Sequence, residues 1–125
     1  AGTLEYIHLH KTAALIRASL RAAARLAGGD AAAVAALSEA GRDLGLAFQI
    51  VDDILDVEGS LEQLGKTAGK DQRQRKATYP ALHGLEASRR EARRLVERVK
   101  TRLAGFGKRG APLGALADYV FERKN

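Results

Sequence analysis

The amino-acid sequence predicts an all-α fold, and composition is the first reason. The apolar residues include 24 Ala and 17 Leu but only 10 Val and Ile together. Ala and Leu favour helices, whereas strands favour β-branched residues. The chain has only 2 Pro, the residue that interrupts helices most strongly. Apolar residues also recur every three to four positions, the period of one helix face. We therefore expect four or five helices and no sheet.

Size and composition limit the classes of protein that the chain can belong to. It has 125 residues, one domain or less, and it contains neither Cys nor Met. Without Cys it forms no disulfide and no thiolate metal site. No apolar run is long enough to cross a bilayer and no signal peptide is visible, so we expect a cytoplasmic protein. Because a natural reading frame starts with Met, we expect a processed chain or a fragment.

The first half of the chain predicts two helices. The first runs from Thr3 to Ala27, and Gly28 with Gly29 ends it. Asp30 is the expected N-cap of the second helix, which runs to Val57. The predicted apolar stripes are Leu4, Ile7, Lys11, Leu15, Ala18, Ala22 and Leu26 on the first helix, and Leu37, Leu44, Phe48, Val51 and Leu55 on the second.

The second half predicts a long loop followed by two helical regions. Residues 59–78 show no period and contain five basic residues, so we predict a functional loop. A helix resumes near Tyr79 and Pro80 and breaks near Gly84. A glycine-rich segment from Gly105 to Gly114 precedes a last helix over about 113–123.

The clearest chemical feature is a cluster of carboxylates inside the second helix. Asp52 and Asp56 lie one turn apart, Asp53 lies three residues before Asp56, and Gln49 lies one turn before Asp53. Three adjacent carboxylates repel one another unless a cation is supplied, and their hard oxygens suit Mg²⁺. An acidic helix face in solvent is the simpler interpretation. The apolar stripe around the cluster and the basic loop after it favour a metal site.

Lysines near this cluster are candidates for binding a diphosphate. Lys66 and Lys76 lie in the predicted loop, and ammonium groups can neutralise the phosphate charge that a metal leaves. Lys11 precedes Thr12 among apolar residues of the first helix, so we expect it to be at least half-buried. A solvated loop and an extended Lys are the alternative interpretations. No catalytic role is assigned to any histidine.

Taken together, these segments resemble the trans-isoprenyl diphosphate synthases, the polyprenyl synthetase family. The resemblance covers nearly the whole chain, and its pattern is most similar to the bacterial farnesyl diphosphate synthases (geranyltranstransferases). The segments that carry it are His10-Lys11-Thr12, Gly45 to Asp56, Leu64-Gly65-Lys66, Gly69-Lys70-Asp71 and Lys76 to Leu82.

The resemblance implies an isoprenoid synthase-type helical bundle, of which this chain is the C-terminal half only. In that family two aspartate-rich motifs face each other across a cavity and hold three Mg²⁺ ions. Asp52, Asp53 and Asp56 match the metal ligands of the second motif. The positions that match residues binding the allylic diphosphate or supporting its metals are Lys11, Thr12, Gln49, Lys66 and Lys76. Asp71 matches a residue that helps to order the loop and the metal shell. Arg123 with Lys124 resembles a basic tail that closes over the site, so the resemblance implies that Arg123 binds the diphosphate.

The implied activity is the Mg²⁺-dependent condensation of isopentenyl diphosphate with an allylic diphosphate, giving farnesyl diphosphate or a similar product. The first aspartate-rich motif and the isopentenyl diphosphate site are absent from this sequence. We therefore expect an inactive fragment that forms a homodimer or associates with the N-terminal half. The apolar face around Phe48, Val51 and Leu55 is the expected contact. The residues that set product length in the family are also absent.

Three other functions remain open from the sequence. A nucleic-acid-binding helical module would fit the net charge of +6 and the arginines between 86 and 102, although glutamates interleave with them. A terpene cyclase of the same fold would carry an Asn/Ser/Glu metal triad in the matching helix. A non-catalytic subunit of a heteromeric prenyltransferase would not need the intact Asp52, Asp53 and Asp56. We expect no nucleic-acid partner and no membrane span.

Overall fold

The computed structural model describes residues 2–66 and 77–124, and these residues contain six α-helices, one short 3-10 helix and no strand. The α-helices are α1 (Gly2–His10), α2 (Thr12–Leu26), α3 (Ala31–Lys66), α4 (Tyr79–His83), α5 (Leu85–Ala104) and α6 (Ala111–Glu122), with the 3-10 helix at Gly107–Gly110. The predicted all-α class is confirmed. The expected number of four or five helices is too low for the described residues.

The centre of the fold is α3, a helix of 36 residues that packs against both α2 and α5. At 1.5 Å per residue it is about 54 Å long. Its buried face meets the apolar face of α5, and α6 closes the end of the same core. The core residues of these three helices are Ala40, Leu44, Leu46, Ala47, Ile50, Val51, Ile54, Ala92, Leu95, Val96, Val99, Leu103, Ala117 and Val120.

Helices α2 and α3 touch at two glycines of α3. A Cβ atom at Gly45 would lie 2.6 Å from the Cβ of Ala13, and one at Gly41 would lie 2.8 Å from the Cα of Arg17. Such distances leave no room for a side chain, so the two backbones are in direct contact. This contact fixes α2 against the part of α3 that precedes the aspartates.

The predicted helix over 3–27 is wrong in one respect, because the chain leaves helical geometry at Lys11 (φ −99°, ψ −113°). The buried residues explain the break. Leu4 and His8 are buried in α1, but the next buried residue is Ala13, five positions after His8. A continuous helix repeats its buried face every three to four residues. The spacing from His8 to Ala13 is one residue longer than the helical repeat, and the non-helical residue Lys11 accounts for the difference.

The predicted apolar stripe of the first helix faces mostly outward. Of that stripe only Leu4 is buried, whereas Ile7, Leu15 and Leu26 are exposed, Leu26 to 90%. The face around Phe48, Val51 and Leu55, expected to be uncovered, is instead part of the core: Val51 is buried and the other two pack against it. The exposed large apolar side chains are Tyr6, Ile7, Leu15, Leu26, Leu61, Leu64, Leu82, Leu116 and Tyr119.

The predicted end of the second helix is also wrong. The start is correct, because the side chain of Asp30 accepts a hydrogen bond from the N–H of Ala33 (2.8 Å). The helix continues through Gly59 to Lys66, where the sequence predicted a loop. An interior Gly costs only about 1 kcal/mol, and an ion pair from Glu58 to Arg89 of α5 holds this end of α3. The rest of the predicted loop, 67–76, lies outside the described residues.

The remaining helix boundaries lie largely where the sequence predicts them. Thr78 caps α4 by accepting a hydrogen bond from the N–H of Ala81 (3.2 Å), and Gly84 separates α4 from α5 with φ +84°. The predicted glycine-rich break is shorter than expected, because the 3-10 helix starts at Gly107 and α6 already begins at Ala111. None of the helices in the described part of the chain combines the length and apolar character needed to cross a bilayer.

Candidate active site

The aspartate cluster lies on α3, between the segments that contact α1, α4 and the C-terminal tail. Asp52 and Asp53 are partly buried, Asp56 is exposed, and Gln49 is 8% exposed. Carboxylates that are partly removed from water need nearby cations or N–H donors. The structure supplies such groups to Asp52 and Asp53 from distant parts of the sequence.

Asp52 is paired with Arg123, the residue that follows α6. The Nη2 of Arg123 donates to Oδ1 of Asp52 (2.6 Å) and to the carbonyl oxygen of Phe48 (3.3 Å). Its guanidinium also lies 4.1 Å from the centre of the Phe48 ring, a cation–π contact. The chain end is thus held against α3 at the aspartate cluster, and the diphosphate-binding role predicted for Arg123 stays a prediction.

Asp53 is held by two other elements. Its Oδ2 accepts a hydrogen bond from the N–H of Tyr79 (2.9 Å), the first residue of α4. The same oxygen lies 3.3 Å from Nε2 of His8, a residue of α1 with a side chain only 6% exposed. Nothing in the sequence around His8 points to Asp53, so the sequence predicts no role for this residue. Only the fold brings the two together.

Lys11 and Thr12 lie at the junction of α1 and α2, where the chain leaves helical geometry. Lys11 is exposed, so the expectation of a half-buried ammonium group is wrong, and Thr12 is partly buried. The break at Lys11 explains the exposure, because this residue belongs to neither helix.

The other basic candidates lie at or beyond the edge of the described structure. Lys66 is the last residue of α3 rather than part of a loop. Lys76 and Asp71 lie outside the described residues, and their predicted roles stay predictions.

The aspartates fit a partial Mg²⁺ site. Within residues 2–66 and 77–124, no three His, Asp or Glu side chains converge closely enough to hold one metal ion. Asp52 uses Oδ1 for Arg123 and Asp53 uses Oδ2 for Tyr79, which leaves one oxygen of each for other ligands. Mg²⁺ usually takes one or two carboxylates and fills its shell with water and phosphate oxygens. The donor set therefore suits a metal that is shared with a diphosphate.

A second polar cluster, which the sequence analysis did not single out, stabilises the core. Asp43 is fully buried on α3 and pairs with Arg98 (3.2 Å) and Arg102 of α5, and more loosely with Arg42 (3.6 Å). A buried carboxylate is retained when it is paired and hydrogen-bonded. The available signal was the spacing of Arg98 and Arg102, one helical turn apart on the same face of α5.

Tyr79 contributes its ring as well as its backbone to this region. Burial, followed by the nearby carboxylates Glu91 and Glu5, raises the pKa of the Tyr79 hydroxyl above its ordinary value. The ring also packs on His83, with centroids 4.5 Å apart. The phenol is therefore neutral throughout the ordinary pH range and acts as a packing group beside Asp53.

Comparisons with known proteins identify relatives of the whole described region. A family model for polyprenyl synthetases matches residues 3–105. A dimethylallyltranstransferase of Fischerella ambigua (strain UTEX 1903) is 49% identical over 122 residues, which cover 98% of this chain and 35% of the relative. A chloroplastic geranylgeranyl pyrophosphate synthase of Capsicum annuum is 52% identical over 124 residues, covering 98% of this chain and 34% of the relative.

A solved structure agrees with these sequence matches. The crystal structure of a candidate farnesyl-diphosphate synthase from Marinomonas sp. MED121 superposes with a TM-score of 0.77 and 36% identity, covering 95% of this chain and 39% of that chain. The chain thus spans about one third of the length of the curated relatives that it matches. Several relatives are named geranylgeranyl synthases, so the names do not single out a farnesyl product.

Proposed function

Because this chain belongs to the polyprenyl synthetase family, we propose that it forms the wall of a prenyl diphosphate synthase that carries the second aspartate-rich motif. The reaction of the complete enzyme is the condensation of isopentenyl diphosphate with an allylic diphosphate. The observation that carries the proposal is the half-buried pair Asp52 and Asp53, each with one oxygen held by the protein and one available. Such a pair is suited to a divalent cation that also binds phosphate.

In this proposal Asp52, Asp53 and Asp56 bind Mg²⁺ without all three sharing a single ion, and Gln49 lies one turn before Asp53 on the same helix. Bound Mg²⁺ would stabilise the negative charge that develops on the departing diphosphate. The exposed ammonium group of Lys11, with Thr12 next to it, binds the allylic diphosphate, and Lys66 and Lys76 neutralise its remaining charge. Apolar helix faces keep water from the carbocation that forms when the diphosphate leaves.

We propose a prenyl diphosphate as the product, without restricting it to farnesyl diphosphate as the sequence pattern suggested. Farnesyl diphosphate is the product that the resemblance implied, whereas relatives named for geranylgeranyl products favour a longer chain. The family residues that set this length have no counterpart among the 125 positions of the sequence. A prenyl diphosphate of either length is compatible with the contacts described above.

The exposed apolar residues support the proposed association with a further helical segment or a second copy. Ile7 is 51% exposed, Leu15 69% and Leu26 90%, and all three lie on α1 and α2. Large apolar side chains that are exposed on two consecutive helices mark a surface that another element covers. In the complete enzyme we propose that the segment carrying the first aspartate-rich motif lies against this face.

The contacts of the arginines on α5 weigh against the nucleic-acid alternative. Arg94 makes two hydrogen bonds to Glu91, and Arg89 pairs with Glu58. Arg93 lies 4.6 Å from the centre of the Phe121 ring. Arginines already engaged in this way are poorly placed to contact successive phosphates, which need a row of unpaired cations.

The test uses the full-length protein that carries this sequence. The purified protein is incubated with isopentenyl diphosphate and dimethylallyl or geranyl diphosphate, with and without Mg²⁺, and the products are measured by mass spectrometry. Mg²⁺-dependent formation of a prenyl diphosphate supports the proposal, and the product mass gives its length. A protein that makes no product, binds no diphosphate in the presence of Mg²⁺ and is instead retained on DNA at low salt contradicts it.

A further inference from the structure

One oxygen atom, Oδ2 of Asp53, joins three separate segments of the chain. It belongs to α3, it accepts the N–H of Tyr79 at the start of α4 (2.9 Å), and it lies 3.3 Å from Nε2 of His8 in α1. His8 lies three residues before Lys11 along the chain. The same atom therefore connects the proposed diphosphate-binding segment, the aspartate cluster and α4.

The burial of His8 is better explained by this contact than by packing. The residue is only 4% exposed, and its Nδ1 has no hydrogen-bond partner in the described part of the chain. Burying a polar atom without a partner is unfavourable, so an apolar side chain of similar size would fill this position better. What His8 adds is an N–H group that can point at the carboxylate of Asp53.

The contact also determines how Asp53 can bind a metal. The Oδ2 of Asp53 accepts from the Tyr79 N–H and lies 3.3 Å from Nε2 of His8, so the rotamer of this carboxylate is restricted and Oδ1 is the oxygen left for a metal. Outer partners that orient metal-binding side chains in this way have a large influence on metal affinity.

We propose that His8 is a positioning residue, which together with the Tyr79 N–H holds Oδ2 of Asp53 so that Oδ1 is presented to the Mg²⁺ diphosphate. This inference rests on the proposed function. His8 contacts neither metal nor substrate in it, and it acts only through Asp53.

The test compares two amide side chains at position 8 in the full-length protein. In His8→Gln the amide nitrogen reaches as far as Nε2 and can still donate to Asp53. In His8→Asn the side chain is one methylene shorter, so its amide nitrogen cannot reach Asp53. Each variant is melted with inorganic pyrophosphate at increasing Mg²⁺, which gives the Mg²⁺ concentration at half of the full stabilisation without any catalysis. His10→Asn is the matched control, because His10 is exposed and its described contacts, a hydrogen bond to the carbonyl of Tyr6 (2.8 Å) and stacking on the Tyr6 ring, stay within α1.

The expected result is a half-maximal Mg²⁺ concentration raised about 10-fold or more by His8→Asn, and one close to that of the unchanged protein for His8→Gln and His10→Asn. In an Asp53→Ala background, His8→Asn should have no further effect. Equal midpoints for His8→Asn and His8→Gln, or effects that add to Asp53→Ala, would overturn the inference alone. If the unchanged protein shows no Mg²⁺-dependent stabilisation with pyrophosphate, the proposed function fails, and the inference fails with it.

Discussion

Replacing Gly45 by Ala tests the direct contact between α2 and α3. The new Cβ would lie 2.6 Å from the Cβ of Ala13 and 3.3 Å from its carbonyl carbon, and the Cα of Ala13 would be nearer still. Carbon atoms pack at about 3.5–4.0 Å, so the helices must separate by about 1 Å. No rotamer change can relieve the clash, because the obstructing atoms belong to the backbone and to a Cβ.

The magnitude follows from two opposing terms. Overpacking of this kind costs about 1–3 kcal/mol, and replacing Gly by Ala within a helix returns about 0.5–1 kcal/mol. We therefore expect Gly45→Ala to lower the free energy of unfolding by about 1 kcal/mol, within a range of about 0–2.5 kcal/mol. Gly59→Ala is the matched control in the same helix, because its Cβ would meet nothing within 4 Å. That variant should be stabilised by about 0.5–1 kcal/mol.

Thermal and urea unfolding of the two variants measures this difference. We expect Gly59→Ala to melt above the unchanged protein and Gly45→Ala below it, with the two Tm values roughly 5–15 °C apart. The same separation would move Lys11 relative to Asp52, so a loss of activity should accompany the loss of stability. A Gly45→Ala variant as stable as Gly59→Ala would refute the close contact of α2 and α3.

Three further substitutions test other contacts. Asp52→Ala should reduce activity of the full-length enzyme much more than Asp118→Ala, because the ion pair that Asp118 forms in the described part of the chain is with Lys100 of α5 (3.1 Å), away from the aspartate cluster. Equal kcat values at saturating Mg²⁺ would contradict the assignment. Asp43→Asn should lower the free energy of unfolding by about 2–3 kcal/mol, as measured by urea unfolding, because Arg98 and Arg102 would lose the buried carboxylate with which they pair. A hydrogen bond from Arg94 lowers the pKa of Glu91, so its contribution to stability is present above the ordinary carboxyl pKa and is lost as pH falls through the lowered one. Glu91→Gln should therefore cost under about 1 kcal/mol at pH 7 and nothing once the pH lies below the lowered pKa of Glu91, and a cost that persists in acid would exclude this ion pair as its source.

The helical class and several helix ends were predictable because local chemistry determines them. The excess of Ala and Leu favours helices regardless of partners, and Asp30 and Thr78 cap their helices through hydrogen bonds made within three residues. Gly84 adopts a left-handed conformation that other residues avoid, so it ends α4 where the sequence placed a break. The match to the polyprenyl synthetase family confirms the resemblance drawn from the combined motifs.

The errors arose where packing overrides local preference. The sequence predicts a helix end just before Gly59, but α3 continues to Lys66, supported by the ion pair between Glu58 and Arg89 and by the helix-forming residues that follow Gly59. The apolar repeat of the first helix was followed through Lys11 without interruption. The break at this residue shifts the phase of the buried face, and nothing in the local sequence marks it.

The aspartate cluster was recognisable from its spacing, but the groups that hold it were not. Arg123 is 71 residues from Asp52 along the chain, and Tyr79 is 26 residues from Asp53. Spacing rules describe side chains on one helix, and contacts at these separations exist only after the helices pack. The same limit explains why His8 was assigned no role.

Gly45, which α2 contacts, and the aspartate cluster lie on one uninterrupted helix, α3. This limits where the chain can gain or lose residues. Asp52 follows Gly45 by seven residues, about two turns. Inserting one residue between them would rotate the carboxylates about 100° around the helix axis, away from His8 and Arg123. Inserting four would rotate them only about 40° further than a full turn, but would shift them about 6 Å along the axis. Insertions and deletions among related sequences should therefore be absent between positions 45 and 53, and occur instead between helices.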